Sequence, residues 1–189
     1  MTLATSAAVR SPARARWLAA AQLLAAVLLV ALASQLAVPL PGTPVPMTLQ
    51  PLAVLLAGGL LGPGLGAGAM VLYLALGAAG APVFTPFGAP GLLRLLGPTG
   101  GYLLAFPAAA AVVGGVAVRG SRWPRLLAGA LLGMLVIHAG GVAQLLVLTG
   151  SARLAFAAGV VPFALGDGLK VLVAALVLRR AGSWTRALR

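Results

Sequence analysis

The chain is 189 residues long, 61% hydrophobic and only 7% charged, with a formal net charge of +12. Soluble domains carry about 25% charged residues, so a water-soluble globular fold is excluded. With no cysteine, one acidic residue and one histidine, a disulfide framework, a His/Asp/Glu metal cluster and a paired-carboxylate enzyme within one chain are excluded too.

The fold class expected is all-α: a polytopic membrane protein with six transmembrane helices, no enzymatic activity, no metal and no cofactor. The arginines lie between apolar runs, as membrane topology requires, rather than on one amphipathic face, so the charge does not point to nucleic acid. The Gly-rich segments Gly62 to Gly68 and Gly97 to Gly101 lack the Gly-Lys-Ser/Thr ending of a phosphate loop and match no dinucleotide fingerprint. Any energy for transport has to come from another subunit or a gradient.

Residues 1–16, with Arg10, Arg14 and Arg16, are expected to form a basic N-terminal tail, residues 17–180 a six-helix membrane domain, and residues 181–189 a basic C-terminal tail. The first apolar run, from about Trp17 to Val38, is too long for the apolar core of a signal peptide and predicts an uncleaved spanning helix. Its pairs Ala21/Ala25 and Ala33/Ala37 have the small-xxx-small spacing that lets helices approach closely. Pro39 to Pro46 cannot continue a helix and predicts an outer loop. A short helix from about Pro51 to Leu61 turns through Gly62-Pro63-Gly64 into another from about Leu65 to Gly77. Residues 78–98 form a second long loop. Helix four follows from about Thr99 to Val118, helix five from Leu126 to Leu148, and helix six from Val160 to Leu178, after a short loop holding Arg153.

Six spans put both termini on one side. Arg10, Arg14, Arg16, Arg119, Arg122, Arg125, Arg179, Arg180, Arg186 and Arg189 fall on that side, and only Arg94 and Arg153 on the other. The positive-inside rule therefore predicts cytoplasmic termini in a cell membrane. Trp17, Trp123 and Trp184 fall at the same boundaries, where indoles are favoured.

The last apolar run holds the only acid, Asp167, and the only lysine, Lys170. Each costs about 2.5–3.5 kcal/mol at mid-bilayer, and their i,i+3 spacing lets them offset one another on one helix face. Such groups mark a substrate or ion path more often than a structural tie. Lys170 lies roughly 15 Å in from the outer side, beneath both long loops, which suggests a pocket covered by a lid.

Four segments carry a resemblance: Val45-Pro46-Met47-Thr48-Leu49-Gln50-Pro51-Leu52-Ala53-Val54-Leu55-Leu56-Ala57-Gly58, Leu72-Tyr73-Leu74-Ala75-Leu76-Gly77-Ala78-Ala79-Gly80-Ala81-Pro82-Val83-Phe84, Leu96-Gly97-Pro98-Thr99-Gly100-Gly101-Tyr102-Leu103, and Pro162-Phe163-Ala164-Leu165-Gly166-Asp167-Gly168-Leu169-Lys170. In this order and spacing, over residues 45–178, they resemble the BioY family, the substrate-binding component of biotin uptake transporters of the energy-coupling-factor type. The resemblance implies high-affinity capture of biotin from the outside by a six-helix fold. It also implies docking to a membrane scaffold subunit that carries two cytoplasmic ATPases. The small residues Ala21 and Ala25 are then candidate scaffold contacts.

Biotin offers a cyclic urea with two N–H donors and a carbonyl acceptor, an apolar thioether ring and a carboxylate tail. Chemical complementarity gives Asp167 the urea and Lys170 or Arg94 the carboxylate. Arg94 is otherwise a solvated loop residue. Gln50 either caps the second helix beside Pro51 or touches ligand, and Thr99 either caps the fourth helix or lines the site. Tyr102 offers a ring face and hydroxyl, or is an interfacial anchor. Phe84 is a wall for the thioether ring, or packs only its loop. His138 and Gln144 lie on helix five, and His138 is expected to make an interhelical hydrogen bond rather than relay protons. The alternatives are a binding component for another vitamin, and a self-sufficient proton-coupled carrier with Asp167 as its titrating group. A structural subunit with a scaffold ion pair is a further alternative.

Overall fold

A computed structural model describes residues 12–187, with side chains resolved from Ala13 to Gly182. Arg10 and Arg189 lie outside the described residues, as do the side chains of Trp184 and Arg186. The chain is almost wholly helical: α1 (Pro12–Gln35), α2 (Gln50–Ala78), α3 (Leu92–Leu96), α4 (Gly100–Ala117), α5 (Trp123–Thr149), α6 (Ala152–Gly159) and α7 (Ala164–Ala187). A two-residue ribbon pairs β1 (Ala37–Val38) with β2 (Met47–Thr48), antiparallel, and closes the first long loop. Among the described residues five stretches are long and apolar enough to cross a membrane: Ala13–Gln35, Gln50–Ala78, Gly100–Ala117, Trp123–Thr149 and Ala152–Gly182. Their outer faces are greasy, with Leu165 93% and Val147 84% exposed. A surface of this kind is stable only against lipid or another apolar chain. The protein is a multi-pass membrane protein.

Within α2 the chain reverses. Gly62 takes φ 82, ψ 176, a conformation open to glycine, and Pro63 follows it without an N–H to donate. Gln50 and Tyr73, which a straight helix would hold about 35 Å apart, meet in a 2.7 Å hydrogen bond. Two antiparallel limbs, residues 50–61 and 63–78, thus occupy the stretches expected as helices two and three. The first limb packs hard against α4, because a Cβ on Gly58 would come within 2.3 Å of the Ala110 carbonyl oxygen. Glycine at this contact lets two backbones approach where no side chain fits.

Other boundaries differ from expectation. Helix α1 begins at Pro12, so Arg14 and Arg16 extend the helix rather than belong to a tail, and it ends at Gln35, leaving Ala37 in the ribbon. Residues 152–159, expected as loop and the approach to helix six, form α6. Ser151 caps it by accepting from Leu154 N–H at 3.4 Å. Pro162 then sits in a single 3₁₀ turn, Val161–Phe163, and α7 starts at Ala164. The second long loop contains the one-turn α3, which carries Arg94.

The two ends of the bundle differ. At one end, Gly62 lies against Val118 and Gly182 against Ser121, so the α2 turn, the close of α4 and the end of α7 gather around Arg119, Arg122, Arg125, Arg179 and Arg180. The other end holds the loops, Arg94, Arg153 and all six buried polar residues of the described chain: Ser34, Gln50, Thr85, Arg94, Asp167 and Lys170.

Candidate functional site

Four of those buried polar groups, Gln50, Thr85, Asp167 and Lys170, belong to a cavity lined also by Val45, Pro46, Thr48, Pro51, Phe84, Thr99, Tyr102, Leu103, Phe106, Ile137, His138 and Phe163. Its lining comes from both long loops and from α2, α4, α5 and α7, so no single stretch of chain contains it. The charged floor comes from α7 and α5. Asp167 sits in the first turn of α7, and its Oδ1 accepts from Lys170 Nζ at 2.7 Å. Its Oδ2 lies 2.9 Å from His138 Nε2. Asp167 and Lys170 are each only 6% exposed, so breaking the pair would leave a charge buried. The other nitrogen of the histidine, Nδ1, is 3.2 Å from the Gly159 carbonyl oxygen. The same carbonyl accepts from Tyr102 Oη at 2.7 Å. A hydrogen-bonded chain therefore runs Tyr102–Gly159–His138–Asp167–Lys170 through α4, α6, α5 and α7.

The expected site residues separate into those the cavity collects and one it does not. Gln50 is buried and lines the cavity. Its side chain caps nothing: Leu49 holds the N-cap position of α2, and Gln50 Nε2 donates to Tyr73 Oη. Thr48 Oγ1 donates to Gln50 Oε1 at 3.3 Å, orienting the amide. Thr99 occupies the N-cap position of α4 without a side-chain cap bond, so its hydroxyl is left to the cavity. Tyr102 lines the wall beside His138, ring centroids 6.1 Å apart. Phe84 is a wall, standing edge-on to Tyr73 at 5.4 Å.

Arg94 is the correction. It neither lines this cavity nor faces solvent; it is 6% exposed and belongs to the second loop. Its Nη1 donates to Thr85 Oγ1 at 3.0 Å and to the Phe87 carbonyl, and its Nη2 donates to the Thr85 carbonyl at 2.8 Å. Burial pulls its guanidinium below the usual arginine range, and these loop acceptors hold the charge in place.

The two loops are held differently. The carbonyls of residues 83–87 are nearly all taken. Val83 accepts from Ser34 Oγ at 2.8 Å and from Tyr73 Oη at 2.9 Å, and Phe84 accepts from Gln35 Nε2 at 3.0 Å. This loop, expected as part of a lid, is a fixed wall. The first loop is tied by its ribbon and one Thr43 turn bond, and otherwise rests on apolar contacts of Val45 and Leu40 with Leu145, Ala155 and Phe163. The cavity is tight, with a volume of about 50 Å³.

Sequence reading missed His138 as part of the site, although the interhelical hydrogen bond expected of it is present. Its partner Asp167 stands 29 positions away on another helix, a distance no local pattern reveals. Phe106, Ile137 and Phe163 were equally invisible, being ordinary members of apolar runs. Gln144 donates to the Leu96 carbonyl at 3.2 Å and tethers α5 to the loop end at α3.

Comparison with known proteins agrees with this arrangement. A model of the BioY family matches residues 5–187. A probable biotin transporter BioY of Pyrococcus horikoshii is 42% identical over 137 residues, 72% of this chain and 80% of that protein. The biotin transporter BioY of Thermotoga maritima is 40% identical over 141 residues, 75% of this chain and 83% of the relative. Among solved structures, the 2.1 Å S-component for biotin from an ECF-type ABC transporter superposes with a TM-score of 0.80 at 26% identity, covering 88% of this chain and 91% of the other.

Proposed function

This chain belongs to the BioY family, and on that premise we propose how it serves biotin uptake as the biotin-binding S component of an ECF-type transporter. It is a transport protein, not an enzyme. The observation that carries the site assignment is the hydrogen-bonded Asp167, Lys170 and His138 floor at the base of an otherwise apolar cavity.

Asp167 and Lys170 touch at 2.7 Å, so they cannot take opposite ends of biotin, whose pentanoate tail separates carboxylate from rings. An acceptor beside a donor instead matches one edge of the urea: Asp167 accepts an N–H, and Lys170 donates to the carbonyl. Placing both at the urea replaces the allocation of Lys170 or Arg94 to the carboxylate. Phe84 and Phe106 flank the thioether ring, with Gln50, Thr99 and Tyr102 supplying polar contacts along the walls. The carboxylate lies toward the loops, and Arg94 acts by fixing residues 83–87. Residues 39–46 swing out to admit the ligand.

The α2 reversal gives six passes, and the concentration of arginines at one end favours cytoplasmic termini in the cell membrane. The loops and cavity then face outward. A scaffold subunit with two ATPases supplies energy, and the exposed Ala21 and Ala25 on α1 give it a flat face to approach. Biotin is cargo, and no cofactor is required.

The test is equilibrium biotin binding by the detergent-purified chain beside Asp167→Asn. Tight binding that weakens 10-fold or more in the variant supports this reading. Absence of binding by the intact chain overturns it. A second reading, proton-coupled transport without an ATPase, draws on the His138–Asp167 contact; uptake by the chain alone that an uncoupler abolishes would favour it.

A further inference from the structure

The end of the bundle opposite the cavity carries an open groove lined by Ser121, Arg122, Trp123, Pro124, Leu176, Arg179 and Arg180. The chain has one acidic side chain, Asp167, and that carboxylate is occupied at the far end by Lys170 and His138. No side-chain carboxylate of the protein is therefore left for these arginines. The side chains of Arg122 and Arg179 make no hydrogen bond or ion pair with any described residue. Guanidinium groups gathered in one groove repel each other, a bound anion relieves that repulsion, and a forked guanidinium suits phosphate oxygens best.

The surface leading to the groove indicates what the anion is attached to. Leu165, Leu169, Leu172 and Leu176 follow at steps of four, three and four along α7, forming a single helical stripe. All four are exposed, and the last lines the groove. One further turn brings Arg179 and Arg180. Trp123, half-buried in the lining, stands where an amphipathic ring marks the junction of hydrocarbon and head groups. A free phosphate would use the arginines and ignore the stripe, whereas a phospholipid uses both. We propose that this groove binds the head-group phosphate of an anionic phospholipid, with an acyl chain lying along the α7 leucine stripe.

The experiment uses the full chain in nanodiscs, in a Trp17→Phe/Trp184→Phe background so that Trp123 is the reporter. Phosphatidylglycerol or phosphatidylcholine with brominated acyl chains is titrated into unbrominated phosphatidylcholine, and quenching of Trp123 is followed. Brominated phosphatidylglycerol should quench at five- to twenty-fold lower mole fraction than brominated phosphatidylcholine. Each of Arg122→Gln and Arg179→Gln should remove about five-fold of that preference, in line with the contribution of one basic residue near an anionic surface. Arg122→Lys with Arg179→Lys should keep most of it, and biotin binding at the other end should hold in all variants as the check on folding.

Equal quenching by the two lipids overturns the proposal, as does a preference that survives both glutamine substitutions. Displacement of the brominated phosphatidylglycerol by millimolar inorganic phosphate would show a free-anion site and reject the lipid. If the glutamine variants keep the lipid preference but lose association with a co-expressed scaffold chain, the groove is a protein-docking site and the lipid assignment fails.

Discussion

The two ends of this bundle handle charge in opposite ways. At the loop end, each formal charge of the cavity floor is buried and matched: Asp167 takes Lys170 on one oxygen and His138 on the other. At the opposite end, arginines are exposed and no acidic side chain is near. Burial is the reason for the difference. A charge removed from water costs several kcal/mol unless its partner is built into the fold, whereas a charge at the head-group level can borrow its counterion from outside. Substitutions at the first end should therefore cost stability and ligand affinity together, and those at the second should cost neither.

The largest effect is expected from Asp167→Asn. It removes the negative charge beside Lys170 and turns one of the two accepting oxygens into an NH2 donor, with a stability loss of about 3–5 kcal/mol, typical of breaking a buried pair. Thermal unfolding in detergent reads the stability, and biotin titration should show a loss of 10-fold or more. Lys170→Ala follows, again with at least a 10-fold loss of affinity. Unchanged affinity in both variants would remove the floor from the binding site and with it the contrast between the ends.

His138→Ala should come next. It deletes a hydrogen bond to a charged group, worth about 1.5–3 kcal/mol, and frees the Asp167 carboxylate to rotate. Biotin affinity should fall about 10-fold, with partial recovery in His138→Gln, whose amide can still donate to the carboxylate. An alanine variant with full affinity would reduce His138 to a packing residue. Arg94→Ala sharpens the comparison differently, because it acts on the wall. Limited proteolysis at residues 83–91 should accelerate, while affinity falls only about three- to ten-fold, less than for Asp167. A loss equal to that of Asp167→Asn would return Arg94 to direct ligand contact. The smallest effect belongs to Arg125→Gln at the basic end, with biotin binding and melting temperature both unchanged within about 0.5 kcal/mol.

How much of the site could be read in the chain depended on how rare each residue is. Asp167 and Lys170 stood out because an acid and an ammonium inside an apolar run are costly and therefore conspicuous. Gln50, Thr99 and Tyr102 were visible as polar residues at helix entrances, although their partners were not: Gln50, read as either a cap or a ligand contact, bonds to Tyr73. Arg94 misled, because an arginine in a loop looks solvated until the loop is seen to fold over it. His138 was noticed as a lone intramembrane histidine, but its acid comes 29 positions later and enters through a different helix.

Composition, apolar run length and the spacing of arginines determined by themselves that the chain is a helical membrane protein with one basic end, because these follow from the cost of moving each residue type into hydrocarbon. Gly62-Pro63 determined the reversal inside α2, because few other pairs combine a positive φ with a missing donor. The tertiary structure alone decided which side chains share the cavity, which loop is tied by hydrogen bonds and which by apolar contacts, and that Asp167 and Lys170 touch at 2.7 Å. Those are matters of distance between helices, and a helix carries its apolar periodicity in its own residues while its neighbours, and the register in which they meet, are set by packing.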